Sequence, residues 1–371
     1  MSIHTISDTI ERALRSAGLD VDRGPARRAA DTIRRALAAA GIAQRPAARS
    51  PARGDDAAPL AFVERVERVE RVDVPARGPS RAATGGGFFE RSHTGPAGTR
   101  TYKRYIPARA SSAPLPLVVM LHGCKQNPDD FATGTRMNAL AEAHGFLVAY
   151  PAQSRNANGS NCWNWFRPAD QAREGGEPEV LAGIARDVIA AEAVDPQRVF
   201  VAGLSAGAAM AVILGQTHPE LFSAVGAHSG LPLGAAHDVA SAFTAMRGSS
   251  LFGARPPAAG TPGAAVPTIV FHGDQDSTVA AANAATIVEQ AVAAGSAHAP
   301  LHPTVGARDS VGGREFTRTV YADAAGRARV EHWLLHGAAH AWSGGDAAGS
   351  YADAQGPDAS AEMIRFFLAQ R

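Results

Sequence analysis

The feature that most limits how this chain of 371 residues can fold is the pentapeptide Gly-Leu-Ser-Ala-Gly at residues 203–207. A short β-branched and aromatic run precedes it, and a run of small helix-forming residues follows it. Strand, sharp turn and helix, in that order, are the context that presents a serine as an exposed nucleophile, with glycines where the chain reverses tightly. Because Gly, Ala and Ser are common here, the pentapeptide alone would also fit an ordinary glycine-rich turn. The flanking pattern therefore carries the prediction that Ser205 is a nucleophile.

Composition narrows the class of protein. A hydrophobic content of 45% is sufficient for a core, and a formal net charge of +1 gives no field that would attract nucleic acid. No apolar run is long enough to cross a bilayer, so we expect neither a nucleic-acid partner nor a transmembrane segment. The first residues lack the basic start and apolar centre of a secretory signal, which favours a cytoplasmic protein or one exported by another route. The sequence leaves the oligomeric state open.

The N-terminal part of the chain differs in composition from the rest. Apolar residues recur at three- and four-residue spacing in residues 3–14 and 29–40, which predicts two amphipathic helices. Stretches rich in Pro, Gly and Ala follow, and a Val-Glu-Arg triplet repeats at residues 63–71, as in a solvated helical stub or a disordered linker. We expect a helical extension and flexible linker over residues 1–85, and a catalytic domain over residues 86–371.

The second part of the chain alternates strands with helices. Continuous apolar strands separated by helices predict an α/β fold, with a mostly parallel sheet covered on both faces, and ligands of such sheets bind beyond the carboxyl ends of the strands. An antiparallel pair is expected at residues 88–93 and 99–106. The other predicted strands are 115–121, 146–150, 199–202, 222–227, 267–271 and 330–335, and the predicted helices are 179–193, 206–216, 281–294 and 359–369.

Two further predicted strands end in residues suited to serine chemistry. Asp274 and Asp276 follow one of them, and His340 follows the last. The chain order Ser, Asp, His is that of the α/β-hydrolase triad, in which His340 would deprotonate Ser205 while a buried carboxylate holds the imidazole. Taken separately, His340 could also be an ordinary histidine in a loop, and the two aspartates could simply stabilise a turn. The sequence predicts Asp276 as the acid, because Asp274 directly follows Gly273 and is placed to shape the turn.

The strand at residues 115–121 ends where such hydrolases supply an oxyanion donor. The backbone amides of Cys124 and Ala206 are the expected pair of donors. The two cysteines of the chain cannot build a four-ligand metal site, and the expected chemistry needs no metal and no cofactor. A Cys124–Cys162 disulfide would tether the aromatic loop that follows Cys162. Two buried reduced thiols are the alternative, which a reducing compartment favours.

Aromatic residues cluster beside the second cysteine. Trp163, Trp165 and Phe166 fall within four residues of one another in a chain that is 6% aromatic, so they are expected to line a cleft for an apolar acyl chain or polymer. A loop packed on the sheet is the alternative. His228, at the end of the next predicted strand, and Trp342, beside His340, are assigned to the same cleft.

Together these motifs resemble the poly(3-hydroxybutyrate) depolymerase family of esterases. The matching segments are residues 121–126, 162–166, 203–207, 272–276 and 340–345. The resemblance covers residues 88–371 and implies an α/β-hydrolase fold and ester hydrolysis, and the family pattern H-G-x-x-D-x-x-V falls on Asp276. The family is similar to feruloyl and acetylxylan esterases, so the resemblance does not fix the substrate. Secreted polymer depolymerases carry a signal peptide and often a separate polymer-binding domain, and neither is recognised here.

The sequence therefore predicts a serine esterase that works through an acyl-enzyme. Poly(3-hydroxybutyrate) or its oligomers are the expected substrate, and a feruloyl or acetylxylan carboxylesterase is the alternative. A third hypothesis, from another class, is a protein that binds polymer granules or a partner through its N-terminal helices. An activity panel on defined esters separates the first two, and deletion of residues 1–85 addresses the third.

Overall fold

The structure is a computed structural model that describes residues 86–108, 113–248, 266–297 and 299–370. The predicted helices at residues 3–14 and 29–40, and the triplet repeat at residues 63–71, lie outside these ranges. The boundary expected at residue 85 stays a prediction.

An eleven-stranded sheet forms the centre of the described chain. The strands are β1 (Gly87–Gly95), β2 (Gly98–Ile106), β3 (Leu115–Leu121), β4 (Leu147–Pro151), β5 (Val194–Leu204), β6 (Ala224–His228), β7 (Thr268–Gly273), β8 (His302–Val305), β9 (Asp309–Val311), β10 (Arg314–Ala322) and β11 (Ala328–Leu335). Their spatial order is β1-β2-β4-β3-β5-β6-β7-β11-β10-β8, with β9 also paired to β10. The run from β4 through β3, β5, β6 and β7 to β11 is parallel, whereas the pairings of the outer strands on both sides are antiparallel.

Helices cover both faces of the sheet. They are α1 (Pro128–Thr135), α2 (Met137–His144), α3 (Glu177–Ala191), α4 (Ala206–Thr217), α5 (Val239–Met246), α6 (Ala282–Gly295) and α7 (Ala359–Leu368), with a 3₁₀ turn at Pro168–Gln171 and a small pair β12 (Trp342–Ser343) and β13 (Ala352–Asp353). Successive residues of a strand point to opposite faces, so Val119 packs in one apolar core with α3, α4 and α6, and Val118 in a second core with α1, α2 and α7.

This architecture is an α/β-hydrolase fold and confirms the predicted fold class. The helices α1, α2 and α5, of eight residues each, were not predicted, and neither were β8 to β10. The residues of β8 and β9 are exposed, and most of those of β10 are half-buried, so these strands lack the continuous apolar run of the central ones. Among the described residues, no helix combines the length and the apolar character that spanning a bilayer requires.

The carboxyl ends of the parallel strands lie side by side along one edge of the sheet, the carboxyl edge. Register pairs Leu121 of β3 with Gly203 of β5, Leu204 with His228 of β6, and Gly273 of β7 with Leu335 of β11. The loops that follow these strands therefore emerge side by side, and the predicted site residues lie in them.

Candidate active site

Ser205 lies in the turn between β5 and α4, in a strained backbone conformation. Its φ is 57° and its ψ is −119°, a combination that a non-glycine residue rarely adopts and that the surrounding structure must enforce. Its amide donates to the carbonyl of His228 at 2.9 Å, and its side chain is half-buried. The turn therefore has the geometry in which an exposed serine hydroxyl stands above the end of a sheet.

Two glycines allow β5 and α4 to pack this closely. A Cβ atom at Gly207 would collide with the carbonyl oxygens of Leu121 and His122, and one at Gly203 would collide with the backbone of Gly207 and with Leu121 O. Only a residue without a side chain fits at either position, so the pentapeptide is required by packing as well as by the turn.

His340 and Asp276 form a short hydrogen bond at the same edge. His340 Nδ1 donates to Asp276 Oδ2 at 2.6 Å, from the loop after β11 to the loop after β7. The other carboxylate oxygen, Oδ1, accepts the amides of Thr278 at 2.9 Å and Val279 at 2.8 Å. With its proton on Nδ1, a neutral His340 keeps an unprotonated Nε2 as a base.

The environment of Asp276 keeps its carboxyl group ionised. Burial alone would raise the pKa of Asp276, but hydrogen bonds from His272 and His340, together with the Val279 amide, lower that pKa well below its ordinary value. His272 Nε2 lies 3.4 Å from Asp276 Oδ2 and donates more closely to Val279 O, at 2.8 Å. An ionised carboxylate hydrogen-bonded to His340 is the arrangement expected for the predicted Asp–His pair.

His228 connects the serine loop to the histidine loop. Its carbonyl accepts the Ser205 amide, and its Nε2 accepts the amide of Ser343 at 3.1 Å, three residues after His340. The Ser205 hydroxyl and the Nε2 of His340 have no hydrogen-bond partner within the described part of the chain. The catalytic hydrogen bond of a ligand-free enzyme is often long and tightens when substrate binds.

Two residues assigned to the substrate cleft are instead buried supports. His228 is fully buried and stacks between the rings of Phe271 and Trp342. Burial and the imidazoles of His272 and His340 lower the pKa of His228 to about 3, so it is neutral. Trp342 is 1% exposed and donates from Nε1 to Ser360 Oγ at 3.0 Å. The prediction that His228 and Trp342 line an open cleft is therefore wrong, because neither side chain reaches solvent.

A disulfide bond and packing in the core connect the aromatic loop to the end of β3. Cys124 and Cys162 are joined by a disulfide, with their Cα atoms 4.2 Å apart. Trp163 is fully buried and donates from Nε1 to His122 O at 3.1 Å, and Trp165 lies in the same apolar core. The assignment of Trp163 and Trp165 to an open cleft is wrong, because both side chains pack in the core against the sheet, as in the alternative interpretation. Phe166 is half-buried and stays a candidate for substrate contact.

The turn after β3 carries the predicted oxyanion donors. The Gly123 amide is occupied by Gln126 Oε1 at 2.9 Å, whereas the amides of Cys124 and Ala206 have no partner among the residues that the structure describes. Ala206 is the first residue of α4, where helix amides lack an intrahelical acceptor. Both amides are thus available to an external oxygen.

A buried polar network that sequence analysis missed holds the aromatic loop in place. The carboxylate of Glu177 accepts the Asn164 amide at 2.7 Å and the Asn164 side chain at 2.8 Å. The side chain of Gln153 donates to the same carboxylate at 2.5 Å and to Cys162 O at 2.8 Å, and its backbone amide donates to His122 Nε2 at 3.1 Å. Gln153 lies just beyond the carboxyl end of β4. The other site residues were predicted from such a position at a strand end, and the same signal could have indicated Gln153.

Asp274 has a different set of partners from Asp276. Its carboxylate accepts the amide of Gly337 at 2.7 Å and His336 Nδ1 at 3.0 Å. Asp274 therefore links the start of the loop that carries Asp276 to the start of the loop that carries His340. In the described chain, no group of three or more His, Cys, Asp or Glu side chains is arranged as metal ligands would be.

The fold and the site together define an α/β-hydrolase with a serine turn and an Asp–His pair at the carboxyl edge of the sheet. The chain belongs to the Esterase PHB depolymerase family, whose model matches residues 100–315.

Several named proteins are similar to the chain. Poly(3-hydroxyalkanoate) depolymerase C of Paucimonas lemoignei is 34% identical over 67% of this chain and 59% of that protein. Poly(3-hydroxybutyrate) depolymerase of Ralstonia pickettii is 31% identical over 72% of this chain and 58% of that protein. Feruloyl esterase B of Neurospora crassa is 34% identical over 37% of this chain and 45% of that protein. The chain thus spans less than two thirds of these relatives. An acetyl xylan esterase from Aspergillus awamori shares the fold, with a TM-score of 0.59 at 19% identity over 76% of this chain and 100% of that one.

Proposed function

We propose that this protein is a serine carboxylesterase that hydrolyses poly(3-hydroxybutyrate) or its oligomers through an acyl-enzyme. The observation that carries the proposal is the 2.6 Å bond from His340 to the ionised Asp276, formed at the sheet edge where Ser205 is held in its strained turn. An activated serine of this kind performs acyl transfer.

The proposed reaction has two steps. His340 Nε2 accepts the Ser205 proton as Oγ attacks the ester carbonyl, and the Cys124 and Ala206 amides stabilise the oxyanion. The carbon–oxygen bond to the alcohol then breaks, and His340 returns the proton to the departing oxygen. Water, deprotonated by the same imidazole, then attacks the acyl carbon. The bond between that carbon and Ser205 Oγ breaks, and His340 returns the proton to Oγ, which releases the acid and the free serine.

Replacement of the proposed nucleophile tests the reaction. Ser205→Ala should lower kcat for p-nitrophenyl butyrate by at least roughly 10⁴-fold, as loss of a nucleophile does in triad enzymes, with an unchanged circular dichroism spectrum. The matched control is Ser223→Ala, because Ser223 precedes β6 at the opposite edge of the sheet. Substantial turnover by Ser205→Ala would refute the assignment.

The choice of substrate is supported by the family and by the two depolymerases to which the chain is similar. The similarity to feruloyl esterase B keeps a feruloyl or acetylxylan carboxylesterase as the second candidate. Initial rates on hydroxybutyrate oligomers should exceed those on feruloylated and acetylated sugars at equal concentration of ester bonds. The reverse order would favour the second candidate. Granule or partner binding through the N-terminal helices stays a separate prediction, because those residues lie outside the described ranges.

A further inference from the structure

Tyr351 is an exposed aromatic residue beside His340. The residue is 43% exposed, and its ring meets the imidazole edge to face, with the centroids 6.4 Å apart and the planes at 80°. The other large apolar side chains exposed in the described chain are Val239, Phe243, Val305 and Val311, and none of them is in ring contact with His340. An aromatic ring that leaves its apolar surface in water beside a reactive group is suited to bind part of a substrate.

The backbone of Tyr351 is strained, as is that of Ser205. Its φ is 52°, a conformation that a bulky side chain adopts only when its surroundings enforce it. Two backbone hydrogen bonds hold this conformation: Tyr351 O accepts the Trp342 amide at 2.7 Å, and the preceding Ser350 amide donates to Asp130 Oδ1 at 2.8 Å. The protein therefore holds an exposed ring in place at the expense of backbone strain.

A buried glutamine ties the Tyr351 turn to the proposed oxyanion turn. Gln126 is 1% exposed, and it accepts the Gly123 amide through Oε1 while its Nε2 donates to Ser350 O at 2.8 Å. The backbone on which Tyr351 stands is thereby linked to the donor turn, and its ring contacts His340.

We infer that Tyr351 forms a binding subsite for the alcohol portion of the ester. This inference rests on the proposed function, since it uses the roles of Ser205 and His340 given above. When the tetrahedral intermediate collapses, the bond to the alcohol oxygen breaks and the proton on His340 Nε2 moves to that oxygen. The alcohol portion must then lie within hydrogen-bond reach of His340, where the exposed face of Tyr351 can contact it.

The chemistry of the subsite indicates the substrates that use it. A phenol ring offers an apolar face, so it stabilises an alcohol portion that carries a chain or a ring, such as the next unit of a polyester or a benzyl group. Ethanol is too short to cover the ring. Because the acyl portion leaves the carbonyl carbon in another direction, we expect it to make no contact with Tyr351.

Esters that share one acyl group test the inference. Tyr351→Ala should lower kcat/KM for benzyl butyrate by about 5- to 10-fold, the worth of one aromatic contact, and change that for ethyl butyrate by less than about twofold. Tyr351→Phe keeps the ring and should retain the preference for benzyl over ethyl butyrate. The matched control is Val305→Ala, which removes an apolar side chain that is also exposed, from β8, the last strand at the other side of the sheet.

The readout separates binding from a structural effect. kcat/KM reports the steps up to release of the alcohol, so its ratio between benzyl and ethyl esters isolates the alcohol portion. A parallel series of ethyl acetate, butyrate and hexanoate should give the same relative values in Tyr351→Ala and in the unaltered protein. An equal loss on all esters, or an unchanged benzyl-to-ethyl ratio, would overturn the subsite. Failure of the proposed function itself is a different result, namely turnover by Ser205→Ala.

Discussion

Two aspartates, two residues apart, have separate structural partners. Asp276 bonds His340, while Asp274 bonds His336 and the Gly337 amide. Asp276→Asn should therefore lower kcat by roughly 10³- to 10⁴-fold, because the amide no longer holds the required tautomer or stabilises the imidazolium. Asp274→Asn should lower kcat by less than about 10-fold, because its partners only support the loop. Steady-state hydrolysis of p-nitrophenyl butyrate measures both, and equal losses would contradict the assignment of Asp276.

Candidate site residues that directly follow an apolar strand could be predicted from the sequence. Residues whose role depends on a contact with a distant part of the chain could not. Ser205, Asp276 and His340 each follow a buried apolar strand, which is a local signal. Gln126 and Ser350 are hydrogen-bonded across 224 residues of chain, and no local pattern reports such a contact.

The exposure of an aromatic side chain is a similar case. Trp163 and Tyr351 are both aromatic residues in loops, yet one is fully buried and the other is 43% exposed. Trp163 is buried against the carbonyl of His122, which accepts a hydrogen bond from its Nε1 and lies 41 residues earlier in the chain, just after β3. For this reason the sequence predicted a cleft residue where the fold has a core residue.

At the level of elements, the contact between β5 and α4 leaves no space beside the backbone of Gly207. Gly207→Ala should lower the free energy of unfolding by roughly 1–3 kcal/mol or more, since the new methyl group meets the Leu121 carbonyl, which belongs to a buried strand. Gly159→Ala is the matched control, because a Cβ there meets no atom within 4 Å, and it should change that free energy by less than about 0.5 kcal/mol. Urea unfolding measures both variants. Similar values for the two would contradict the packing argument.

The connection between β3 and the aromatic loop should depend on the Cys124–Cys162 bridge. The bridge closes a loop between residues 38 apart, so removing it should lower the free energy of unfolding by roughly 2–4 kcal/mol. Urea unfolding of Cys162→Ala, beside the unaltered protein, measures the change.

Mass spectrometry after alkylation provides an independent check of the bridge. Under denaturing conditions without reductant the intact chain should take up no label, and after reduction it should take up two. Two labels without reductant would show free thiols and contradict the bridge.

At the scale of the whole molecule, stability should depend on pH through buried neutral histidines. Burial lowers the pKa of His122, His218 and His332 to about 4 and contributes to lowering that of His228 to about 3. The unfolded chain, with histidine pKa values near 6.5, binds more protons below that pH than the folded chain does. The stability is therefore complete above pH 6.5 and is lost as the pH falls toward 4, by roughly 1–3 kcal/mol for each histidine.

Urea unfolding at pH 7.5 and pH 5.0 tests this dependence. His218→Gln should reduce the difference in free energy between the two pH values by roughly 1–2 kcal/mol. His302→Gln is the control, because the side chain of His302 is exposed in the folded chain. A free energy of unfolding that is equal at both pH values in the unaltered protein would contradict the prediction.

The common edge of the parallel strands also has a practical consequence. The turn at residues 323–327, between β10 and β11, lies at the opposite edge, and its Ala324 is exposed. A cysteine in place of Ala324 could be coupled to a resin or an electrode surface while the loops that bear Ser205 and His340 point away from the support. Immobilised protein attached at this turn should remain open to bulky polymers that a randomly attached preparation would exclude.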